Sequence, residues 1–226
     1  MKKCNFFLAF GLVLTLSLGV SSCSQDDVLE VNEQKGNVAL CTTRAEANMV
    51  LSKYLELNNE QYTLSISAEE AEKLGVPFGL YEDAQRELSI TNALIQKLKN
   101  DPNTILELTD PKVAPKSRSN WDTPSLYSAP TGTLRTNGQE EAISGFVWAP
   151  SGTKGIEFLC RANAALTPLY NCKTYSSGAW QSKSAIGALG VNTTIQVPLY
   201  VSNDNIRVAF STSDSNGGTA TYQGYN

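Results

Sequence analysis

Apolar positions follow two different rhythms along this chain. Between Thr43 and Asn100 they recur every three or four residues, the spacing of one helix face; beyond about Thr133 they alternate with polar ones, the spacing of half-buried strands. In the first stretch "TRAE", Thr43 to Glu46, reads as a capping box, and Ala47, Val50, Leu51, Tyr54 and Leu55 then form one predicted helical stripe. "YTLSIS" alternates at Tyr62, Leu64 and Ile66 and predicts a short strand. A second capping box, Ser67 with Glu70, opens a helix that Gly75 and Pro77 should stop near Leu74. A longer helix is expected from about Leu80 to Leu98, burying Tyr81, Ala84, Leu88, Thr91, Ile95 and Leu98, with a further strand at "TILEL".

The second rhythm predicts seven or eight short strands: "AISGFVW", "IEFLCRA", "LYNCKTY", "AWQSKSA", "TIQVPLYV", "NIRVAFST" and "ATYQGY". Turn-forming segments such as "PSGTKG" and "SNDN" separate them, and "SDSNGG" reads as a hairpin turn. Strands at this spacing point to an all-β sandwich or jelly roll. Ile195, Val197, Leu199 and Val201 share one face, opposed by Ile206, Val208 and Phe210. Pro198 lacks a ladder donor, so its strand belongs at a sheet edge. The fold class expected is therefore α+β, a small helical region followed by a β-sandwich.

A hairpin turning near Leu166 would set Cys160 opposite Cys172. Such a pair could form a structural disulfide in an oxidising compartment, closing a loop of about 13 residues and stabilising by roughly 3 kcal/mol. Cys41 would remain single in a flexible arm.

The chain starts with Lys2-Lys3 and an uncharged run from Phe6 to Val20. As a helix that run would be about 22 Å long, short for a bilayer span and suited to the core of an export signal. Ser21, Ser22 and Cys23 follow, then polar "SQDD". This pattern, over residues 1 to 27 only, resembles the lipobox of bacterial lipoproteins, with Val20 and Ser22 departing from its commonest form. The resemblance implies that Cys23 is acylated and becomes the first mature residue. It also implies a chain held in the outer membrane by lipid, facing the periplasm or the cell surface. Three acyl chains would anchor far more firmly than one.

These boundaries divide the chain into a signal peptide (1–22), a tether (23–42), a mainly helical acidic region (43–108), a Pro-rich linker (109–132) and the sandwich (133–226). Removing the signal leaves 204 of the 226 residues with a net charge of −6. The stretch from Ala45 to Lys112, with 12 acids and 6 bases, carries that whole imbalance, whereas the strand region is near balance. The acids read as solvated helix faces. No clustered basic footprint for nucleic acid is present. Trp121, within the linker, is expected to dock on a neighbouring domain.

The chain contains no histidine, which removes Ser-His-Asp and Cys-His nucleophiles and His-ligated metal sites. "SGTK", Ser151 to Lys154, matches S-x-x-K in letters but sits in a turn without its partner motifs. For paired carboxylates that could cleave glycosides the strand region offers only Glu140, Glu141, Glu157, Asp204 and Asp214, and Glu140-Glu141 are adjacent in a polar turn. No catalytic residue, metal or cofactor is assigned, and the protein is read as a non-enzyme.

Aromatics give the one positive signal. Trp148, Tyr175 and Trp180 are the candidates for stacking on a ligand, Trp180 most of all because it lies in polar "SSGAWQSKS" beside Gly178. The leading expectation is a lipid-anchored, non-catalytic module binding glycan or another surface ligand. The alternatives are a structural or adhesin subunit, fimbria-like, that assembles by strand addition, or a carboxylate-dependent hydrolase.

Overall fold

A computed structural model describes residues 39–100, 106–113 and 130–226. Cys23, the signal segment, Trp121 and most of the tether and linker lie outside the described residues. The fold is α+β: a short helical region followed by a β-sandwich.

Helix α1 (Arg44–Leu51) starts from the expected capping box, in which the Thr43 side chain accepts from the Glu46 amide and the Glu46 carboxylate accepts from the Thr43 amide. The stripe beyond it does not stay helical. Ser52 to Tyr54 tighten into a 3₁₀ turn, and Leu55 opens strand β1 (Leu55–Asn58), paired with β2 (Gln61–Leu64). Asn59 and Glu60 both adopt positive φ (49° and 63°), as a two-residue primed turn requires. Pairing with β2 thus overrides the helical spacing at Tyr54 and Leu55.

Ser67 and Glu70 cap α2 (Ala68–Lys73) reciprocally. Gly75 at φ 85° ends it, and its carbonyl accepts from the Cys41 amide at 2.7 Å. Cys41 is therefore no part of a flexible arm: it is buried against α1, α2 and α3 (Phe78–Lys99). Along α3 the buried positions are Ala84, Leu88, Thr91 and Ile95. Strand β3 (Leu106–Leu108) then leaves the helical layer and pairs in parallel with a strand of the sandwich.

The remaining strands are β4 (Thr131–Thr136), β5 (Ala142–Ile143), β6 (Val147–Ala149), β7 (Gly155–Ala162), β8 (Leu169–Ser176), β9 (Ala179–Ile186), β10 (Thr193–Pro198), β11 (Asp204–Thr212) and β12 (Gly218–Tyr225). One sheet runs β10-β7-β12-β4 and the other β3-β9-β8-β11-β5, with β6 also on β11. Between them lies a core including Ile156, Phe158, Tyr170, Ile195, Val197, Ile206, Val208 and Phe210. Pro198 does fall on an edge strand, β10.

Two turns differ from their expected geometry. Cys160 and Cys172 do not sit on a hairpin, because β7 and β8 belong to opposite sheets and the chain changes layer around Leu166. The thiols nevertheless meet across the core, fully buried, with their sulfurs 3.5 Å apart. "SDSNGG" likewise is no hairpin turn, since β11 and β12 lie in different sheets. Its buried Asp214 carboxylate accepts from the amides of Asn163, Ala164 and Ala165 at 2.9, 2.6 and 2.9 Å and thereby ties together two layer-changing segments.

The helical layer closes one end of the sandwich. Leu166, Ile186 and Ala188 share a second core with Leu51, Leu88 and Ile95. Glu87 of α3 accepts from the Leu166 and Thr167 amides at 2.6 and 3.1 Å while also taking Arg44 at 2.9 Å. Two carboxylates, Glu87 and Asp214, thus hold residues 163–167 from opposite directions.

Candidate ligand-binding face

Residues directly opposite in an antiparallel pair share a face, and residues two apart on one strand do so as well. Inward-facing Ile206, Val208 and Phe210 of β11 therefore leave Asn205 and Arg207 on the outer face of the larger sheet, while Ala209, of the same parity, is covered. Across β8, Tyr175 is opposite Arg207; across β9, Trp180 is opposite Tyr175. On the other flank Trp148 is opposite Asn205. The three aromatic residues singled out in the sequence thus lie on one outer face. Trp180 is 41% and Trp148 50% exposed, and Tyr175 is half-buried.

The β8–β9 hairpin sets the central pair. Ser177 and Gly178 both have positive φ (52° and 80°), giving a two-residue turn whose hand matches strand twist. That turn makes Ser176 and Ala179 the hydrogen-bonded pair and Tyr175 and Trp180 the closer, non-hydrogen-bonded pair. Their ring centroids are 5.3 Å apart and the planes are inclined by 53°, so two differently oriented faces are offered side by side.

A bulge adds a fourth ring. Between Ile206 and Ala209 three steps on β11 match four, from Val147 back to Ile143, on the opposing segment. The extra residue lies at Ser144–Gly145, and it reverses the facing of everything after it. Phe146, 65% exposed, is thereby brought to the outer surface, its ring 5.4 Å from the Arg207 guanidinium carbon. Arg207 and Phe146 were not singled out in the sequence. The alternation in "NIRVAFST" contained the signal for Arg207, whereas simple alternation through "AISGFVW" has no means of revealing a bulge.

Other sequence candidates are dispersed. Ser151 to Lys154 occupy the turn between β6 and β7. Glu141 pairs with Lys173, and buried Glu157 accepts from Gln196 at 2.7 Å. No group of acids and cysteines able to hold a metal occurs among the described residues. A cavity of about 340 Å³ lies where α1 and α3 meet the 163–167 segment, lined among others by Arg44, Asn48, Glu87 and Asp214. Its two carboxylates are already engaged by backbone amides, and this hydrogen bonding explains them as fasteners of the two layers.

No protein-family model and no curated protein matches the chain. Two solved structures show a limited likeness. TmCBM61, determined with β-1,4-galactotriose, is 15% identical over 41% of this chain and 66% of its own, with a TM-score of 0.27. The CBM22-1–GH10 modules of the Clostridium thermocellum endo-1,4-β-D-xylanase 10B, determined with xylohexaose, are 9% identical over 42% of this chain and 25% of theirs, with a TM-score of 0.26.

Proposed function

We propose that this is a lipid-anchored protein of the bacterial outer membrane whose sandwich binds glycan non-catalytically on the outer face of its larger sheet. The observation that carries the reading is the register: Trp180, Tyr175, Phe146 and Trp148 come from three separate chain segments and converge on one exposed surface. Isolated exposed aromatics are ordinary, but a contiguous apolar patch on a monomeric surface marks an interaction site. Flat rings bounded by Asn205, Ser182 and Arg207 suit a ligand with apolar ring faces and polar edges, as a sugar has. Cys23 would hold the protein in the membrane by its acyl chains.

Affinity electrophoresis of the full chain against a panel of soluble polysaccharides tests the binding half. Retardation by at least one polymer, lost in W180A and Y175A without loss of folded signal, is expected; wild-type protein that is retarded by none sinks it. Mass spectrometry of the native amino terminus tests the anchor, which fails if Cys23 carries no acyl chains.

A further inference from the structure

Arg207 is an unusual neighbour for these rings. Its Nε donates to the Ser144 carbonyl at 3.3 Å, and the Ser144 hydroxyl in turn accepts from the Val208 amide at 3.0 Å. The bulge therefore grips the base of the guanidinium, whose carbon lies over the Phe146 ring, 5.4 Å from its centroid. Its two terminal nitrogens make no hydrogen bond or ion pair among the described residues. The nearest charges on this face, Lys173 opposite Ala209 and Glu141, neutralise each other. What is left is a half-buried cation, held over an aromatic ring and by one hydrogen bond through Nε, whose terminal nitrogens make no further contact of this kind among the described residues.

Planar forks of this kind match carboxylates by paired hydrogen bonds, and the face of an aromatic ring attracts the cation and helps hold it in place. Arg207 stands directly across from Tyr175, about 4.8 Å away in strand spacing. A sugar ring lying on Tyr175 or Trp180 would place a carboxylate attached to that ring within the reach of this fork. On a chain of net charge −4, an unpaired cation among exposed aromatics is a selective feature rather than a consequence of bulk charge. We infer that the face selects carboxylated glycans, polyuronates, with Arg207 as the residue that reads the acid group. The inference rests on the glycan-binding reading above and adds the ligand's charge.

The test uses the full chain and four polymers: polygalacturonate, the same polymer fully methyl-esterified, a neutral galactan and a sulfated galactan. Polygalacturonate should bind at least tenfold more tightly than its ester, and the advantage should shrink as sodium chloride is raised. In R207Q the charged and esterified polymers should bind alike, while W180A should weaken both. Equal binding of the two forms by wild-type protein overturns the inference, as does a preference that survives in R207Q. Tighter binding of a sulfated polymer than of polygalacturonate overturns the carboxylate assignment. Binding to neutral galactan alone would defeat the charge inference but leave glycan binding intact; binding to none of the four would count against both. Should R207Q fail to fold, the wild-type contrast between acid and ester, with its salt dependence, decides the matter alone.

Discussion

Tyr175 and Trp180 face each other across the β8–β9 hairpin, with ring centroids 5.3 Å apart, because Ser177 and Gly178 supply the two left-handed residues of the turn between them. Aromatic pairs in such contact contribute about 0.5–1.5 kcal/mol beyond their buried area. A double-mutant cycle on stability with Y175A and W180A should therefore give a coupling of about 1 kcal/mol. Gly178→Val, which forces a branched side chain to φ 80°, should cost about 1–2 kcal/mol or more and weaken ligand binding as well. Denaturant melts with parallel binding measurements check both.

Cys160 and Cys172 are expected to join on oxidation. Transfer of two electrons and two protons to a small disulfide oxidant would yield one bond between sulfurs already 3.5 Å apart. Burial pushes the Cys172 thiol well above its ordinary range, so little thiolate exists in the folded state. Oxidation should thus be slow in native protein and fast during refolding. Thiol titration and intact mass on refolding with and without oxidised glutathione read the outcome, and the oxidised form should be about 3 kcal/mol more stable.

Stability should decline in alkali. Burial raises Tyr62, Tyr170 and Cys172 above their unfolded values, so the folded chain keeps protons that the unfolded chain loses. The unfolded groups ionise near pH 8.5 for Cys and 10 for Tyr, and stability should fall above these values by about 1.4 kcal/mol per pH unit for each group. On the acid side Glu46 and Glu70 have lowered pKa values, Glu46 because it accepts from the Thr42 and Thr43 amides and Glu70 because it accepts from the Ser67 amide, and that contribution disappears as pH falls through their folded values. Chemical denaturation between pH 3 and 11 should give a plateau that declines at both ends. A flat response up to pH 11 would contradict the burial of these hydroxyls.

Glu87→Ala should release the helical layer from the sandwich. It removes the acceptor for the Leu166 and Thr167 amides and the partner of Arg44. Unsatisfied buried donors cost about 1–3 kcal/mol each. Limited proteolysis should then cut between α3 and β4 before the sandwich unfolds. For the same reason residues 130–226 alone should be poorly soluble, since Leu166, Ile186 and Ala188 would lose their cover and β9 its partner β3.

What could be read from the sequence was mostly what is local. Both capping boxes are governed by residues three apart, and both are present. Long helices with a strict apolar face, as in α3, are similarly self-announcing. The stripe through Tyr54 and Leu55 misleads because a tertiary partner, β2, decides the conformation there. Cys160 and Cys172 come close for a reason different from the expected one: no local signal distinguishes a hairpin turn from a chain passing between sheets. β4 was hidden behind Pro130, where proline density argued for a linker. Trp180 was legible as a surface residue from its polar setting, but its assembly with Trp148 and Tyr175 into one face depends on a register and a bulge that no single segment encodes.

Among the strand pairs of the described residues, β1–β2 and β8–β9 join neighbours in the chain and the others bridge distant segments. Such a high contact order places folding on the slow scale of milliseconds to seconds. The β8–β9 hairpin, with its tyrosine and tryptophan, can close locally in microseconds, whereas β6 and β3 must wait for strands far along the chain. A polypeptide with this wiring stays open far longer than one whose strands all pair with their sequence neighbours.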